Sequence, residues 1–490
     1  MALELPNFAL LAPQIVIALA ALVLMTAGAF ARERWRQWNY VVAQLAVIVA
    51  TLLTVFTSGD PRVQTTFGGI FLVDWITLVV QLFIYLSVFA ALIYGRFYLI
   101  ERGLERAEYY ALVLLSLLGM QILAIANHLL LFYLGLELMS LALYALVAFD
   151  RNHALRAEAG MKYFVLGALA SGLILYGLSL IYGATATLSL PEISSVAALR
   201  PGDERVFGFG LAFLVAGIAF KFGAVPFHMW VADVYHGAPT PVTLLLASAP
   251  KLAAFVLAFR LLVFGFFEYA HYWQPMIMVV AVASIVLGNL AAIAQKNLKR
   301  MLAYSGISHV GFILLGLAVG VVEGNHQLAL NAYSATLFYA IVYAVMSMAS
   351  FGLILLMARA GFEAEWLDDV KGLNQKSPWF AAMLLITMFS LAGVPFFVGF
   401  FAKLAVLQAV VAAGYLWVAV VAVVMSLIGA FYYLRVVKLA YFDEPTERQP
   451  LIASSETRVL LSGNALALAL FGLMPQGLMS LAAYAMIASL

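Results

Sequence analysis

Five ionisable side chains fall near the middle of segments apolar enough to span a bilayer: Glu137, Lys221, Lys251, His309 and Lys403. A lysine at that depth costs roughly 2.5–3.5 kcal/mol on insertion scales, so each needs a partner or a task. Glu137 sits in Gly135-Leu136-Glu137-Leu138-Met139-Ser140, and Lys221 is its natural counter-ion, since opening such a buried pair changes the proton affinity of both members. Lys251 follows Pro250 in another span. His309, within Tyr304 to Gly311, carries two ring nitrogens suited to proton relay. Lys403 stands eight residues beyond Pro395. Titratable groups on five different spans, bridged by water, can pass protons through a low-dielectric layer. A sodium site would call for more carboxylates, and the set holds one. The plainer alternatives are a neutral glutamic acid bonded to the next helix, lysine stems reaching to the interface, and a core histidine bonded to a carbonyl.

Two helix breaks must position these groups. In Phe220-Lys221-Phe222-Gly223-Ala224-Val225-Pro226-Phe227-His228, Pro226 removes a backbone donor and frees carbonyls inside the membrane. Gly393-Val394-Pro395-Phe396 echoes Ala224-Val225-Pro226-Phe227. Five spans separate the two breaks, so their helices cross in opposite senses, the mark of an inverted repeat with sites near the midplane. Around this set, Glu158 and Lys162 have the i,i+4 spacing of an ordinary interfacial pair and could equally serve the site. His228 and Asp233, at the end of the same broken span, are explained by water access or by loop capping. Arg260, Arg435 and Lys438 lie near span ends and read as anchors.

The elements behind these sites are fourteen apolar segments, at about 8–30, 39–57, 70–95, 108–126, 128–149, 161–183, 206–230, 240–264, 273–294, 300–322, 327–357, 380–411, 413–441 and 459–486. The fold expected is an all-α polytopic membrane protein of about fourteen transmembrane helices, with two inverted five-helix repeats and two broken helices. Its parts are a three-helix segment at 1–107, repeats at 108–264 and 265–441, and a last loop and helix at 442–490. Of the 490 residues 65% are hydrophobic and 10% charged, with a net charge of +2, which argues against nucleic acid as a partner. No cysteine is present, so cysteine-ligated iron–sulfur clusters are excluded, and the seven histidines show no paired spacing for haem or zinc. No nucleotide-binding motif occurs. The first segment has no cationic residue before it and reads as a retained span. Arg32, Arg34, Arg36, Arg96, Arg102, Arg106, Arg151, Arg156, Lys296, Lys299, Arg300, Arg359, Lys371 and Lys376 gather on one side, against Arg62, Arg200 and Arg205 on the other. The first side is therefore expected to be cytoplasmic and both termini periplasmic. The 358–379 connection, with Glu363, Glu365, Asp368 and Asp369, is expected to be an interfacial helix or a docking surface.

Over Leu134–Ser140, Lys221–Trp230, His236–Val242, Asn297–Gly311, Leu391–Lys403 and Tyr432–Arg435 the chain resembles the antiporter-like membrane subunits of respiratory complex I, shared with Mrp-type cation/proton antiporters and membrane-bound hydrogenases. The resemblance implies a proton-translocating membrane-arm subunit of an NADH:quinone oxidoreductase in the bacterial inner membrane. In that family Glu137 and Lys221 form the ion pair of a first half-channel, Lys251 and His309 link the halves, and Lys403 ends the second. NADH, FMN, iron–sulfur clusters and quinone would be handled by other subunits, and this chain would bind no cofactor or metal. Its partners would be the lipid bilayer and other membrane subunits, especially M-like and K-like neighbours. Lys403 differs from the glutamate typical of sister subunit M, and nothing after Leu490 corresponds to the lateral helix of subunit L. Phe396-Phe397 departs from the family, where a second proline is common. The alternatives are a subunit of a cation/proton antiporter or hydrogenase, and a scaffold that seals the membrane arm.

Overall fold

The computed structural model describes residues 6–30, 36–58, 63–195, 201–322, 325–359, 361–445, 451 and 454–490. Arg32, Arg34, Arg62, Arg200 and the Arg36 side chain lie outside the described residues. Helices α1 (Ala12–Phe30) and α2 (Arg36–Ser58) lead to a small antiparallel hairpin, β1 (Gln64–Thr66) and β2 (Phe71–Val73). There follow α3 (Trp75–Glu101), α4 (Ala107–Ile125), α5 (Leu129–Val147), α6 (Ala154–Thr185), α7 (Leu190–Ser194), α8 (Pro201–Phe222), α9 (Val231–Gly237), α10 (Thr240–Ala247) and α11 (Ala249–Phe259). A π-helical turn, Arg260–Gly265, ends that span. Next come α12 (Ala270–Ile293), α13 (Leu298–Val319), α14 (His326–Met357), α15 (Leu373–Lys376), α16 (Pro378–Ala392), α17 (Val398–Ala412), α18 (Leu416–Phe442), α19 (Ser455–Leu473) and α20 (Gln476–Ser489).

Among the described residues, twelve helical stretches are long and apolar enough to cross a bilayer, Thr240–Gly265 counting as one. The short helices α16 and α17 stand where one of the two remaining spans was expected, and α19 and α20, bent by 82°, stand where the other was. The expected two broken helices become four interruptions. The span 240–264 is broken at Ser248, with Pro250 in the first turn of α11, where its missing N–H costs nothing. The span 459–486 bends at Met474-Pro475.

Loops sort onto two sides. On one, the Asn7 N–H donates to Thr66 Oγ1 (2.9 Å), Asn127 N–H to Ile70 O (2.9 Å), Leu129 N–H to Leu188 O (2.9 Å) and Ile76 N–H to Ser489 Oγ (3.2 Å), which sets Asn7 and Ser489 on the side of the hairpin. On the other, Glu363 accepts from Tyr98 (2.9 Å), Arg102 Nε (3.2 Å) and Arg156 Nη2 (2.9 Å). There the 358–379 connection is a strap. Leu298 N–H donates to Glu365 O (2.6 Å) and Leu367 N–H to Lys296 O (3.0 Å), Glu363 faces the helices while Asp368 is exposed, and it holds only short helical turns.

The two halves repeat their geometry. Helices α5 and α13 start 169 residues apart, at Leu129 and Leu298, the first at the hairpin side and the second at the strap. A methyl group added to Gly119 on α4 would strike the backbone of Met139 and Gly135 on α5; at Gly288 on α12 it would strike Ser308 and Tyr304 on α13, each 169 residues on. These close backbone approaches are consistent with the expected inverted repeats.

Arg260 is not an interfacial anchor. It is 2% exposed and paired with Asp74, 1% exposed, at 2.8 Å; it also donates to Thr77 Oγ1 (2.7 Å) and Ala124 O (3.2 Å). Asp74 caps the start of α3 through the Thr77 N–H (2.8 Å), so one buried pair ties α3, α4 and the Lys251 span together.

Candidate functional site

The two breaks share one backbone device. Helix α8 closes with Ala224 N–H bonded to Ala219 O (2.8 Å) around Gly223 at φ +76°, and α16 closes with Val394 N–H bonded to Phe389 O (3.0 Å) around Gly393 at φ +85°. Left-handed backbone of this kind favours glycine and terminates a helix. Gly223 therefore matches Gly393, and the expected alignment of Ala224 with Gly393 is off by one residue.

A lysine ammonium sits on the carbonyls left free at each end. Lys251 Nζ donates to Phe222 O (2.7 Å), and Lys403 Nζ donates to Ala392 O (2.9 Å) and Leu391 O (3.2 Å). A cation there is favoured by the negative end of the helix dipole. Lys251 comes from the next span, whereas Lys403 comes from the second half of its own.

Lys221 does not lie mid-helix; it is in the last turn of α8. Its ammonium donates to Ser140 Oγ (2.9 Å), with Ser171 Oγ at 3.4 Å and Tyr144 OH at 3.5 Å. Among the described residues it makes no direct ion pair with Glu137, whose Oε1 is buried without a hydrogen-bond partner. Ser140 lies three residues further along α5, about 4.5 Å of helix rise, and takes the ammonium that Glu137 was expected to hold. The structure thus seats Lys221 on the Ser140 hydroxyl, one turn along α5 from Glu137.

His309 is 3% exposed at the centre of α13. Nδ1 faces Tyr339 OH (2.8 Å) and Nε2 faces Tyr433 OH (3.2 Å), which in turn bonds Ser305. Tyr432 donates to Asn289 Oδ1 (3.0 Å), whose Nδ2 donates to Ser308 (2.7 Å). Lys403 Nζ is 5.8 Å from the Phe312 ring, which stacks on Tyr339. Ser140, Tyr144, Ser171, Tyr339, Tyr433 and Ser305 were not singled out in the sequence, although Ser305 and His309 have the i,i+4 spacing of one helix face.

Three of the accessory residues, Glu158, Lys162 and Asp233, cluster on the strap side. Lys162 Nζ bridges Glu158 (2.8 Å) and Asp233 (2.9 Å), and Arg300 Nη1 pairs with Asp233 (2.6 Å). These groups and His236 line a cavity of about 80 Å³. His228 stands apart, within the turn between α8 and α9, its Nδ1 buried without a hydrogen-bond partner. Pro226 and Phe396 are exposed there and at the second break, and Phe396 takes φ +77° in place of a second proline. Glu365 is partly buried, which raises its carboxyl, but His236 at 3.6 Å and the Lys299 charge outweigh burial and hold it below the usual range.

Residues 126–429 match the family described as NADH:quinone oxidoreductase/Mrp antiporter, TM. The chain is 60% identical over 484 residues to NADH-quinone oxidoreductase subunit N of Azoarcus sp. (strain BH72), covering 99% of this chain and 98% of that one. It is 50% identical to the subunit N of Nitrosomonas europaea, covering 97% of each. A chain of respiratory complex I from Thermus thermophilus superposes with a TM-score of 0.80 at 30% identity, covering 96% of this chain and 99% of that chain. A chain of the Mrp complex from Dietzia sp. DQ12-45-1b shares the fold, with a TM-score of 0.82 at 23% identity, covering 97% and 96%. With its inverted helix pairs and lysine-capped breaks, the chain belongs to the NADH:quinone oxidoreductase/Mrp antiporter membrane family, among the subunits N of bacterial NADH-quinone oxidoreductase.

Proposed function

We propose that this membrane-arm subunit of a respiratory NADH:quinone oxidoreductase carries protons across the bacterial inner membrane, with quinone reduction elsewhere in the complex supplying the free energy. Glu137, Lys221, Lys251, His309 and Lys403 are the transfer groups, and Ser140, Tyr339 and Tyr433 are hydroxyl bridges between them. The repeats at 108–264 and 265–441 each contribute a half-channel. Glu158, Lys162 and Asp233 form the strap-side mouth, and His228, in the turn after the Lys221 helix, is an accessory group. On this reading the strap side is cytoplasmic and both termini are periplasmic. Redox cofactors sit in other subunits, and the flanking partners are M-like and K-like.

The observation that carries the reading is the pair of ammoniums seated on broken-helix carbonyls, with a histidine between them in sequence whose two ring nitrogens both meet hydroxyls. A seat made of neutral carbonyls and a hydroxyl holds a charged lysine without an acid, so the proton can leave without breaking a strong pair. Moving one charge against about 100 mV costs roughly 2.3 kcal/mol, less than two pKa units at about 1.36 kcal/mol each. A change in hydration at one seat is therefore large enough to drive a transfer.

The test replaces Lys403 in the assembled complex and measures proton uptake and NADH-driven quinone reduction in vesicles. Lys403→Arg keeps the charge but not an accessible proton, and Lys403→Met keeps length without charge. Both variants are expected to lose pumping while assembling. Full pumping in Lys403→Arg would leave an electrostatic role and overturn the relay. Reporter fusions at Leu490 and at Glu365 test the orientation, and cytoplasmic activity at Leu490 would reverse it.

A further inference from the structure

The first repeat neutralises a buried arginine that the second leaves without an acid. Arg260 donates through Nε to Ala124 O near the end of α4 and through Nη2 to Asp74. Arg435 holds the matching place on α18. Its Nη1 donates to Ile293 O (3.0 Å), 169 residues after Ala124, and its Nη2 to Gln295 O (2.8 Å) at the end of α12. Among the described residues no carboxylate pairs with Arg435, and its Nε is buried without a hydrogen-bond partner. The nearby Asp443 is taken by Lys438 (2.7 Å).

The acid in the first repeat comes from outside the repeat, at the capped start of α3, a helix that packs against α4, α10 and α11. The described elements packed on α18 are α12, α16, α17 and the short turns of the strap, so its outer face is uncovered. That face is a continuous helical stripe: Trp417 (61% exposed), Val420, Val424, Leu427 (76%), Phe431 and Leu434 (46%), ending beside Arg435. A stripe of this length matches a whole transmembrane helix. At its strap-side end stands a guanidinium with two of its N–H groups on carbonyls, a planar fork suited to a carboxylate.

We infer that this face of α18 docks a transmembrane helix of a neighbouring membrane-arm subunit whose strap-side end carries an aspartate or glutamate, set against Arg435 as Asp74 is set against Arg260. The inference rests on the membrane-arm reading and adds which face is covered and by what chemistry. The charge comes from the partner because this chain's flanking helix α3 is already engaged with the first repeat.

The test places a photo-crosslinking amino acid at Leu434 in the intact complex in native membranes and maps the adducts. The expected adduct is to another membrane subunit, at a helix with an Asp or Glu in its strap-side turn. Its yield should fall about tenfold in Arg435→Gln, the equivalent of about 1.4 kcal/mol, and recover substantially in Arg435→Lys. Neutralising the mapped acid in the partner should give the same loss in a background where Arg435 is intact, which separates docking from any folding defect. Adducts to lipid alone, or a protein adduct indifferent to Arg435→Gln, would overturn the inference. A complex that assembles and pumps with no such adduct would leave the proton reading standing and remove this one.

Discussion

Replacing Asp74 should loosen the chain far more than any exposed carboxylate would. The Asp74–Arg260 bond is 2.8 Å long between side chains 1% and 2% exposed. Removing the acid leaves a guanidinium uncompensated, at about 3–5 kcal/mol, and Asp74→Ala also forfeits the cap on α3, about 1 kcal/mol more. Asp74→Asn keeps a capping oxygen and should lose about 1 kcal/mol less. If the pair is lost at the barrier to dissociation, the half-life of the assembled complex at fixed temperature should shorten by roughly 10³–10⁴-fold in Asp74→Ala, at about 1.36 kcal/mol per decade. Joining Asp74→Ala to Arg260→Met removes both charges and should recover most of that loss. The assay is the decay of NADH-driven quinone reduction in solubilised complex after timed incubation. A single-variant half-life within threefold of the parent, or a double variant worse than both singles, would refute the claim that the pair holds α3 to the Lys251 span.

Gly223→Ala should impair assembly more than Gly393→Ala, since both glycines have positive φ but the new methyl meets the branched Val231 Cγ2 at 2.5 Å in the first case and the flexible Lys403 Cδ at 3.0 Å in the second; equal expression and activity of the two would contradict this. Ser140→Ala should lower pumping while preserving assembly, because Lys221 loses its nearest acceptor, and Ser140→Ala with Glu137→Gln should be less than additive if they share one proton site; additive losses in proton uptake would separate them. Glu365, with its folded pKa depressed, stabilises the strap fully above its unfolded value near 4.3 and loses that contribution as pH falls through the lower folded value. Hydrogen-exchange protection at 361–372, taken relative to the intrinsic rate at each pH, should therefore fall on acidification, and this component should vanish in Glu365→Gln.

The sequence pointed to the central charges because an ionisable group in an apolar run is conspicuous, and to the breaks at Pro226 and Pro395 because proline cannot continue a helix. Three of the arginines it put on one side, Arg102, Arg156 and Arg359, do meet at the strap. The hydroxyls were not legible. Serines in spans ordinarily bond their own helix, and Ser140 does so too, donating to Leu136 O at 2.6 Å, so nothing in its spacing marks it as a lysine's seat. Tyr433 meets His309 across 124 residues, a pairing that only tertiary packing creates. Arg260 was misread because its partner Asp74 lies in what the sequence shows as the start of another span. The repeat was found one residue out of register because a matching proline is louder in sequence than the glycine whose left-handed backbone ends each helix. Ser248-Ala249-Pro250 did carry a signal for the third interruption, a capping residue just before a first-turn proline.

The broken helices also shape the field inside the bilayer. Helix α8 enters from the hairpin side and α16 from the strap side, and each ends at a break with its last carbonyls turned to a lysine ammonium. Each contributes about half a negative charge at its end, so two opposed dipoles create a shallow well for cations at the breaks. Reversing the membrane voltage favours one dipole as much as it disfavours the other, and the well keeps its depth. A proton climbing about 100 mV, a rise of roughly 2.3 kcal/mol in all, then meets a resting place between two smaller rises.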